Sequence, residues 1–148
     1  MSTYTAIAYH LVISTKDRIP ALSDARRDDL FRYVWGILKN RDCHLYRIGG
    51  VADHLHILTG LHPSIALAEL VKELKTGATR WIKQESVFAN FTGWQDGYGA
   101  FTVSPGDIPP VIEYIKGQAE HHRRTTFADE FRQMLVEAGI EFEEKYLL

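Results

Sequence analysis

The sequence has little of what marks secreted or membrane-spanning proteins. Cys43 is its single cysteine, which excludes an internal disulfide and suits a reducing compartment. No apolar run is long enough to cross a bilayer, and the first residues lack the basic segment that opens a signal peptide. These absences predict a cytoplasmic protein without a membrane span.

An excess of positive charge is missing as well. The 148 residues carry 17 basic and 19 acidic side chains, which gives a formal net charge of −2. A strongly basic total, the usual mark of a protein that binds nucleic acid, is therefore absent, and such binding would need a local basic patch. Acidic residues gather near the end of the chain, so a basic surface elsewhere is compatible with this total: Glu137, Glu141, Glu143 and Glu144.

The apolar residues, 45% of the chain, suffice for one compact domain, and no repeat or low-complexity linker divides residues 1–148. Residue patterns predict an α+β fold in the order β-α-β-β-α-β-α-α. The predicted strands are 3–15, 44–48, 54–60 and the second half of 93–104, with a turn at Gly49-Gly50. The predicted helices run from Ser23 to about 40, from Ser64 to about 85, from Asp107 to 122 and from Thr126 to about 139.

The first six predicted elements match the ferredoxin-like, RRM-like β-α-β-β-α-β arrangement, an antiparallel sheet with helices on one face. A tyrosine-bearing helix and a final helix follow these six elements. We expect the other face of the sheet to be open for binding.

The sharpest local motif is His54-Leu55-His56 on the third predicted strand. Alternate side chains of a strand share a face, so the two imidazoles project together while Leu55 points into the core. Two imidazoles side by side on a rigid strand can clamp a divalent metal ion. With 7 histidines in 148 residues, the triplet is also compatible with two structural histidines.

A second motif lies on the predicted helix that ends at residue 122. Tyr114, Gln118 and His121 follow one another at helical spacing and form a polar stripe. Such a tyrosine can act as a nucleophile beside a metal ligand, or it can be half buried with its hydroxyl bonded to helical neighbours. Gly117 costs about 1 kcal/mol in a helix interior relative to alanine, which suggests that another group approaches closely beside Tyr114.

Four basic residues lie on the predicted helix that begins at Ser64, and two arginines come after the tyrosine helix. The six residues are Lys72, Lys75, Arg80, Lys83, Arg123 and Arg124. These side chains can contact DNA phosphates, which gives an affinity that falls with salt and is independent of base sequence. Glu69 and Glu73 occupy the neighbouring face of the helix. A merely solvated charged surface is therefore an equally good interpretation.

Taken in order, these motifs resemble the single-tyrosine HUH transposases, a family that includes the repeat-associated tyrosine transposases. The similarity extends along nearly the whole chain, and its strength lies in the joint order of the stretches. The matching stretches are YHLV at 9–12 with STK at 14–16, IGGVADHLH at 48–56, LVK at 70–72 with Lys75, WQDGYGAF at 94–101 with VS at 103–104, YIKGQ at 114–118 with HH at 121–122, and GIE at 139–141.

The resemblance implies a role for each matching residue. Tyr114 would be the nucleophile, His54 and His56 the histidine pair of a metal site, and Gln118 a third metal ligand. His121 would be an alternative ligand, a neighbour that orients a ligand, or a DNA contact. The implied cofactor is a divalent metal, Mg²⁺ or alternatively Mn²⁺.

The resemblance also implies the substrate and the assembly. The substrate would be single-stranded DNA with hairpins, which is cut and rejoined through a covalent 5′-phosphotyrosine. The working unit would be a homodimer, whose composite active sites can pair the histidines of one subunit with the tyrosine helix of the other, in trans.

The predicted function has close and distant alternatives. A transposase of this kind is either carried by a mobile element or domesticated to act on chromosomal palindromic repeats. A non-catalytic nucleic-acid-binding module would keep the sheet without the reaction, although the presence of His54, His56, Tyr114 and Gln118 together argues against it. A metal-dependent hydrolase of small phosphoesters would use Tyr114 only to position its substrate and would form no covalent adduct.

Overall fold

A computed structural model describes residues 2–148, and over this range it contains four strands and five α-helices. The strands are β1 (Ala8–Ser14), β2 (Leu45–Gly50), β3 (His54–Gly60) and β4 (Gly99–Thr102). The helices are α1 (Asp24–Asn40), α2 (Leu67–Gln84), α3 (Ile108–Lys116), α4 (Gln118–His121) and α5 (Phe127–Glu137). All strand pairs are antiparallel in the order β2-β3-β1-β4, which is the predicted split β-α-β sheet.

The two faces of the sheet bury different sets of side chains. Leu11, Leu55 and Ile57 point towards α1 and α2 and belong to the main hydrophobic core. The alternate positions of the same strands point the other way, because successive side chains in a strand alternate between faces. On that second face Val12 packs against Phe127 and Phe131 of α5, and Leu58 packs against Ile115 of α3.

The expectation of an open sheet face is therefore wrong for this structure. The helices α3, α4 and α5 lie over the face that carries His54 and His56, and both histidines have no exposed surface. Val12 and Leu58 give the physical reason, since exposing them would leave apolar surface in water. Among residues 2–148, no helix is long and apolar enough to cross a membrane.

The turn expected at Gly49-Gly50 is instead the end of β2, where both glycines pair with β3. A Cβ atom on Gly49 would lie 2.8 Å from both the Cγ2 and the carbonyl oxygen of Ile115. Glycine at this position therefore lets α3, the tyrosine helix, pack directly on the sheet.

The predicted helix ending at residue 122 is interrupted at Gly117, which separates α3 from α4. The Gly117 amide donates to the carbonyls of Glu113 and Tyr114 at 3.1 and 3.2 Å. A Cβ atom there would meet nothing nearer than 3.6 Å, so the expectation of a close approach beside Tyr114 is wrong. The glycine marks the end of a helix.

The remaining helix ends agree with the sequence in part. Ser23 precedes α1 as predicted, and the Thr126 hydroxyl caps α5 by accepting a hydrogen bond from the Asp129 amide at 3.2 Å. Ser64 does not cap α2, which begins at Leu67, and its hydroxyl bonds to the His62 ring at 2.7 Å instead.

Candidate active site

A single carboxylate, that of Glu130 on α5, lies at the centre of the polar cluster beneath α3–α5. Its Oε1 is 3.1 Å from the Nε2 atoms of His56 and His122 and 3.4 Å from Nε2 of His54. Its Oε2 accepts hydrogen bonds from the Tyr114 hydroxyl and, at 2.9 Å, from the Gln118 amide. Glu130 is only 4% exposed, so water does not compete with these partners.

The histidine pair is held in place by strand β3. Because positions 54 and 56 share a face, both Nε2 atoms point towards Glu130, as the sequence predicts for neighbouring imidazoles. The other ring nitrogen of each histidine has its own partner. His54 Nδ1 lies 2.7 Å from the Asp53 carboxylate, and His56 Nδ1 lies 2.8 Å from His10 Nε2.

The tyrosine and the glutamine come from the two short helices on either side of Gly117. Besides its bond to Glu130, Gln118 brings its Oε1 within 3.1 Å of His54 Nε2. The Tyr114 ring lies against His56 and His10, with ring centroids 5.7 and 6.1 Å apart. Tyr114 and the two histidines thus meet within one chain.

His121 and His122, at the end of α4, differ in burial. His121 is about a third exposed, and its Nε2 lies 3.5 Å from Glu130 Oε2, too far for a good hydrogen bond. His122 is more buried, and its Nε2 is 3.1 Å from Glu130 Oε1.

A metal ion fits the donor set on chemical grounds. One ligand atom from each of four residues lies within 4.8 Å of the others: His54, His56, His122 and Glu130. Three imidazole nitrogens and a carboxylate oxygen suit a divalent transition metal, and Gln118 adds a nearby amide oxygen. Ligating histidines usually donate their second ring N–H to a carboxylate or another acceptor, which is the position of Asp53 behind His54.

Burial and hydrogen bonds set the charges of this cluster. Burial lowers the pKa of His10 to about 3, with a further contribution from neighbouring His56. Burial also lowers the pKa of His56, although Glu130 opposes it. Both rings are therefore neutral at pH 7, the state in which imidazole binds a metal.

The Glu130 carboxylate remains ionised despite its burial. Burial favours a raised pKa for Glu130, but hydrogen bonds to His122, His54 and His56 outweigh it and hold the pKa well below its usual range.

His54 and Tyr114 both have a raised pKa. Burial works to lower the pKa of His54, but hydrogen bonds to Asp53 and Glu130 outweigh it. Burial and the Glu130 carboxylate both raise the pKa of Tyr114, so the phenol keeps its proton at pH 7.

A cavity of about 520 Å³ gives solvent access to the tyrosine. It runs between α3 and α5, where Tyr114, His121 and Glu130 line it together with Asp129 and Glu137. The α5 helix forms one wall of this cavity.

The four basic residues of α2 proposed as DNA contacts lie apart from this cluster. Lys72, Arg80 and Lys83 are exposed on α2, which packs on the opposite face of the sheet. Lys75 is half buried, and its ammonium donates to the carbonyls of Gln95 and Gly97.

The two arginines of the basic set lie beyond α4. Arg123 and Arg124 are exposed and lie 3.0 and 3.9 Å from the Glu120 carboxylate. Surface pairs of this kind are weak, so the arginines can exchange Glu120 for another anion.

Sequence reasoning missed three residues of the cluster: Glu130, His122 and His10. A signal for Glu130 is present in the final helix, where it lies on the same helical face as Phe127 and Phe131. A charged residue within an apolar stripe usually has a buried partner. His10 occupies the corresponding place in β1, where it directly precedes the apolar run from Leu11 to Ile13.

The comparisons with known proteins agree with this fold. The family model described as "Transposase IS200 like" matches residues 3–118. A structure described as a transposase from Deinococcus radiodurans R1 is 26% identical, with a TM-score of 0.60, and the match covers 80% of this chain and 95% of that one. None of the curated proteins compared with the chain matches it.

A second solved structure shares the fold at lower identity. It is described as a REP-associated tyrosine transposase bound to a REP hairpin, and it is 15% identical with a TM-score of 0.61. The match covers 82% of this chain and 74% of that one. Because the family model spans most of the sequence, the chain belongs to the IS200-like transposase family.

Proposed function

We propose that this transposase is a metal-dependent endonuclease and strand transferase that acts on single-stranded DNA at hairpin-flanked sites, with Tyr114 as its nucleophile. The observation that carries the proposal is the meeting of the Tyr114 hydroxyl, the Gln118 amide and the His54–His56 pair around one buried carboxylate. The hairpin bound to the structurally similar REP-associated transposase supports the choice of DNA.

The proposed step exchanges one phosphodiester for another. The phenolic oxygen of Tyr114 forms a bond to phosphorus, the bond from phosphorus to the 3′ oxygen breaks, and the 3′ oxygen leaves as a hydroxyl. The phenol loses its proton to solvent, and the departing 3′ oxygen takes up a proton from solvent, so the step releases no net proton. The products are a 5′-phosphotyrosine and a free 3′-hydroxyl, and a 3′-hydroxyl can later reverse the step and join a new strand without ATP.

His54 and His56 would hold a divalent cation, with Gln118, His122 and Glu130 available as further ligands. A bound cation would make the phosphorus more electrophilic and offset the charge that develops on the nonbridging oxygens. Mg²⁺ is the proposed cofactor because of its abundance, and the imidazoles make Mn²⁺ a suitable substitute.

The test is a search for the covalent adduct. The protein is mixed with a pool of 3′-labelled single-stranded hairpin oligonucleotides and Mg²⁺ or Mn²⁺, because the 5′-phosphotyrosine retains the 3′ portion of the strand. We expect a labelled protein band that survives denaturation. Tyr114→Phe should abolish this band and leave hairpin binding largely intact, since it removes only the hydroxyl.

Three other results would contradict the proposal. An adduct that persists in Tyr114→Phe would assign the nucleophile to another residue. Hairpin binding without cleavage would identify a non-catalytic nucleic-acid-binding module. Release of free product without an adduct would identify a phosphoester hydrolase.

A further inference from the structure

The two oxygens of Glu130 face two different parts of the site. Oε1 faces the Nε2 atoms of the three buried histidines at 3.1 to 3.4 Å. Oε2 accepts the hydrogen bond from the Tyr114 hydroxyl. A single carboxylate therefore joins the histidine pair on β3 to the phenol on α3.

The position of this carboxylate is fixed by its helix. The Glu130 side chain is 2% exposed, and one helical turn earlier Phe127 stacks on the His54 ring with centroids 4.2 Å apart. Phe131, the next residue, packs with Val12 of the sheet. Since α5 is anchored on both sides of Glu130, its oxygens have little freedom to follow a moving tyrosine.

A buried carboxylate costs free energy unless hydrogen-bond partners offset the loss of its water. The partners of Glu130 are all residues of the candidate site, so its burial is tied to that site. Glu130 also sits in the apolar stripe of α5, where a leucine or methionine would match Phe127 and Phe131.

We propose that Glu130 is a positioning residue for the nucleophile: its Oε2 fixes the orientation of the Tyr114 hydroxyl beside the histidine pair of the same chain. This inference rests on the proposed function. It extends the working site to α5, beyond the residues 3–118 that the family model matches. Misplacement of a reacting atom by about 1 Å can slow a reaction on the order of a hundredfold.

Two conservative substitutions separate the place of the oxygen from its charge. Glu130→Gln keeps an acceptor oxygen at the same distance from the backbone and removes the charge. Glu130→Asp keeps the charge and withdraws the oxygens by one methylene. A matched control is Glu137→Gln, because Glu137 lies on the same helix and lines the same cavity without a hydrogen bond to Tyr114.

The measurement is the single-turnover rate of adduct formation on hairpin DNA, at DNA and Mn²⁺ concentrations that saturate each variant. Mn²⁺ binding is measured separately by electron paramagnetic resonance, and DNA binding by fluorescence anisotropy. We expect Glu130→Asp to slow adduct formation about tenfold or more and Glu130→Gln to slow it clearly less than Glu130→Asp, whereas Glu137→Gln stays within about threefold of the parent protein. The Kd for DNA should change less than about twofold in all three variants.

Several results would overturn the inference. Equal rates for Glu130→Asp and the parent protein would show that the oxygen does not position Tyr114. Glu130→Gln as slow as Glu130→Asp would show that the charge is what matters, and a faster rate in either variant would show that Glu130 obstructs the site. Failure of the proposed function is distinguishable, because the parent protein would then form no adduct.

Discussion

Each of the two histidines proposed to bind the metal ion has a second residue in contact with its Nδ1 atom. His10 lies against Nδ1 of His56, and Asp53 lies against Nδ1 of His54. Such partners set which ring nitrogen carries the proton and which one faces the metal. The site therefore extends one layer beyond the two histidines themselves.

This arrangement predicts that loss of a metal ligand weakens metal binding more than loss of the residue behind it. His56→Ala should abolish measurable Mn²⁺ binding and with it cleavage, whereas His10→Ala should weaken Mn²⁺ binding about tenfold. His44→Ala is the matched control, because His44 is exposed near the edge strand β2 and far from the cluster in the sheet. The affinities are measured by electron paramagnetic resonance of Mn²⁺. An unchanged affinity in His10→Ala would show that the ring behind His56 is dispensable.

The burial of His10 also predicts how stability changes with pH. Its pKa falls from 6.5 in the unfolded chain to about 3 in the folded protein, so the unfolded state binds the proton more tightly. Above pH 6.5 the ring is neutral in both states and the folded state loses no stability through it. As the pH falls from 6.5 towards 3, proton uptake by the unfolded chain lowers the free energy of unfolding. We expect the Tm of the metal-free protein to drop over this range, and to drop less in His10→Phe. Equal losses in the two proteins would contradict this prediction.

At the scale of elements, the position of the tyrosine helix depends on one glycine of β2. A Cβ atom on Gly49 would lie 2.8 Å from the backbone carbonyl of Ile115, which cannot rotate away. The helix must therefore shift to accept any side chain there.

Gly49→Ala should destabilise the protein by about 1–3 kcal/mol and slow adduct formation, because α3 carries Tyr114. The matched control is Gly36→Ala on α1, where a new Cβ atom would meet nothing within 4 Å. This control should be neutral or slightly stabilising, since alanine favours a helix. Urea unfolding gives the two free energies. Equal stability in both variants would argue that α3 has room to move.

The elements also show how far sequence patterns reach. The split β-α-β sheet and the order of strands follow from alternation and helical spacing, and they are confirmed. The burial of the histidine face could not be foreseen, because it depends on α3–α5 folding back over the sheet. The extension of β2 through Gly49 was missed since a glycine pair signals a turn equally well.

The candidate site was predictable to a similar degree. His54 and His56 share one face of a strand, and Tyr114 and Gln118 share one face of a helical stretch, so each pair is visible in the sequence. Their meeting with Glu130 is not visible, because it joins positions 74 residues apart in the case of His56. Long-range contacts of this kind depend on tertiary packing, for which a local pattern carries no information.

At the scale of the whole molecule, one chain brings the tyrosine to the histidines. A homodimer remains a prediction. Because Tyr114 and the two histidines meet in one chain, we expect each active site of such a dimer to work in cis. Mixing Tyr114→Phe with His56→Ala should then leave the adduct undetectable on a denaturing gel. Recovery of adduct in the mixture, up to the fraction expected for mixed dimers, would show that the subunits exchange their tyrosine helices.

The place of Glu130 in the chain has a consequence for biosynthesis. A ribosome completes β3 and α3 before it adds α5, so a nascent chain that ends between them and Glu130 holds the histidine pair and the phenol without the carboxylate. If Glu130 orients the phenol, a chain that lacks α5 cannot yet cut DNA efficiently. Full cleavage activity would then require α5 to pack on the sheet, so that DNA cleavage depends on the completion of folding.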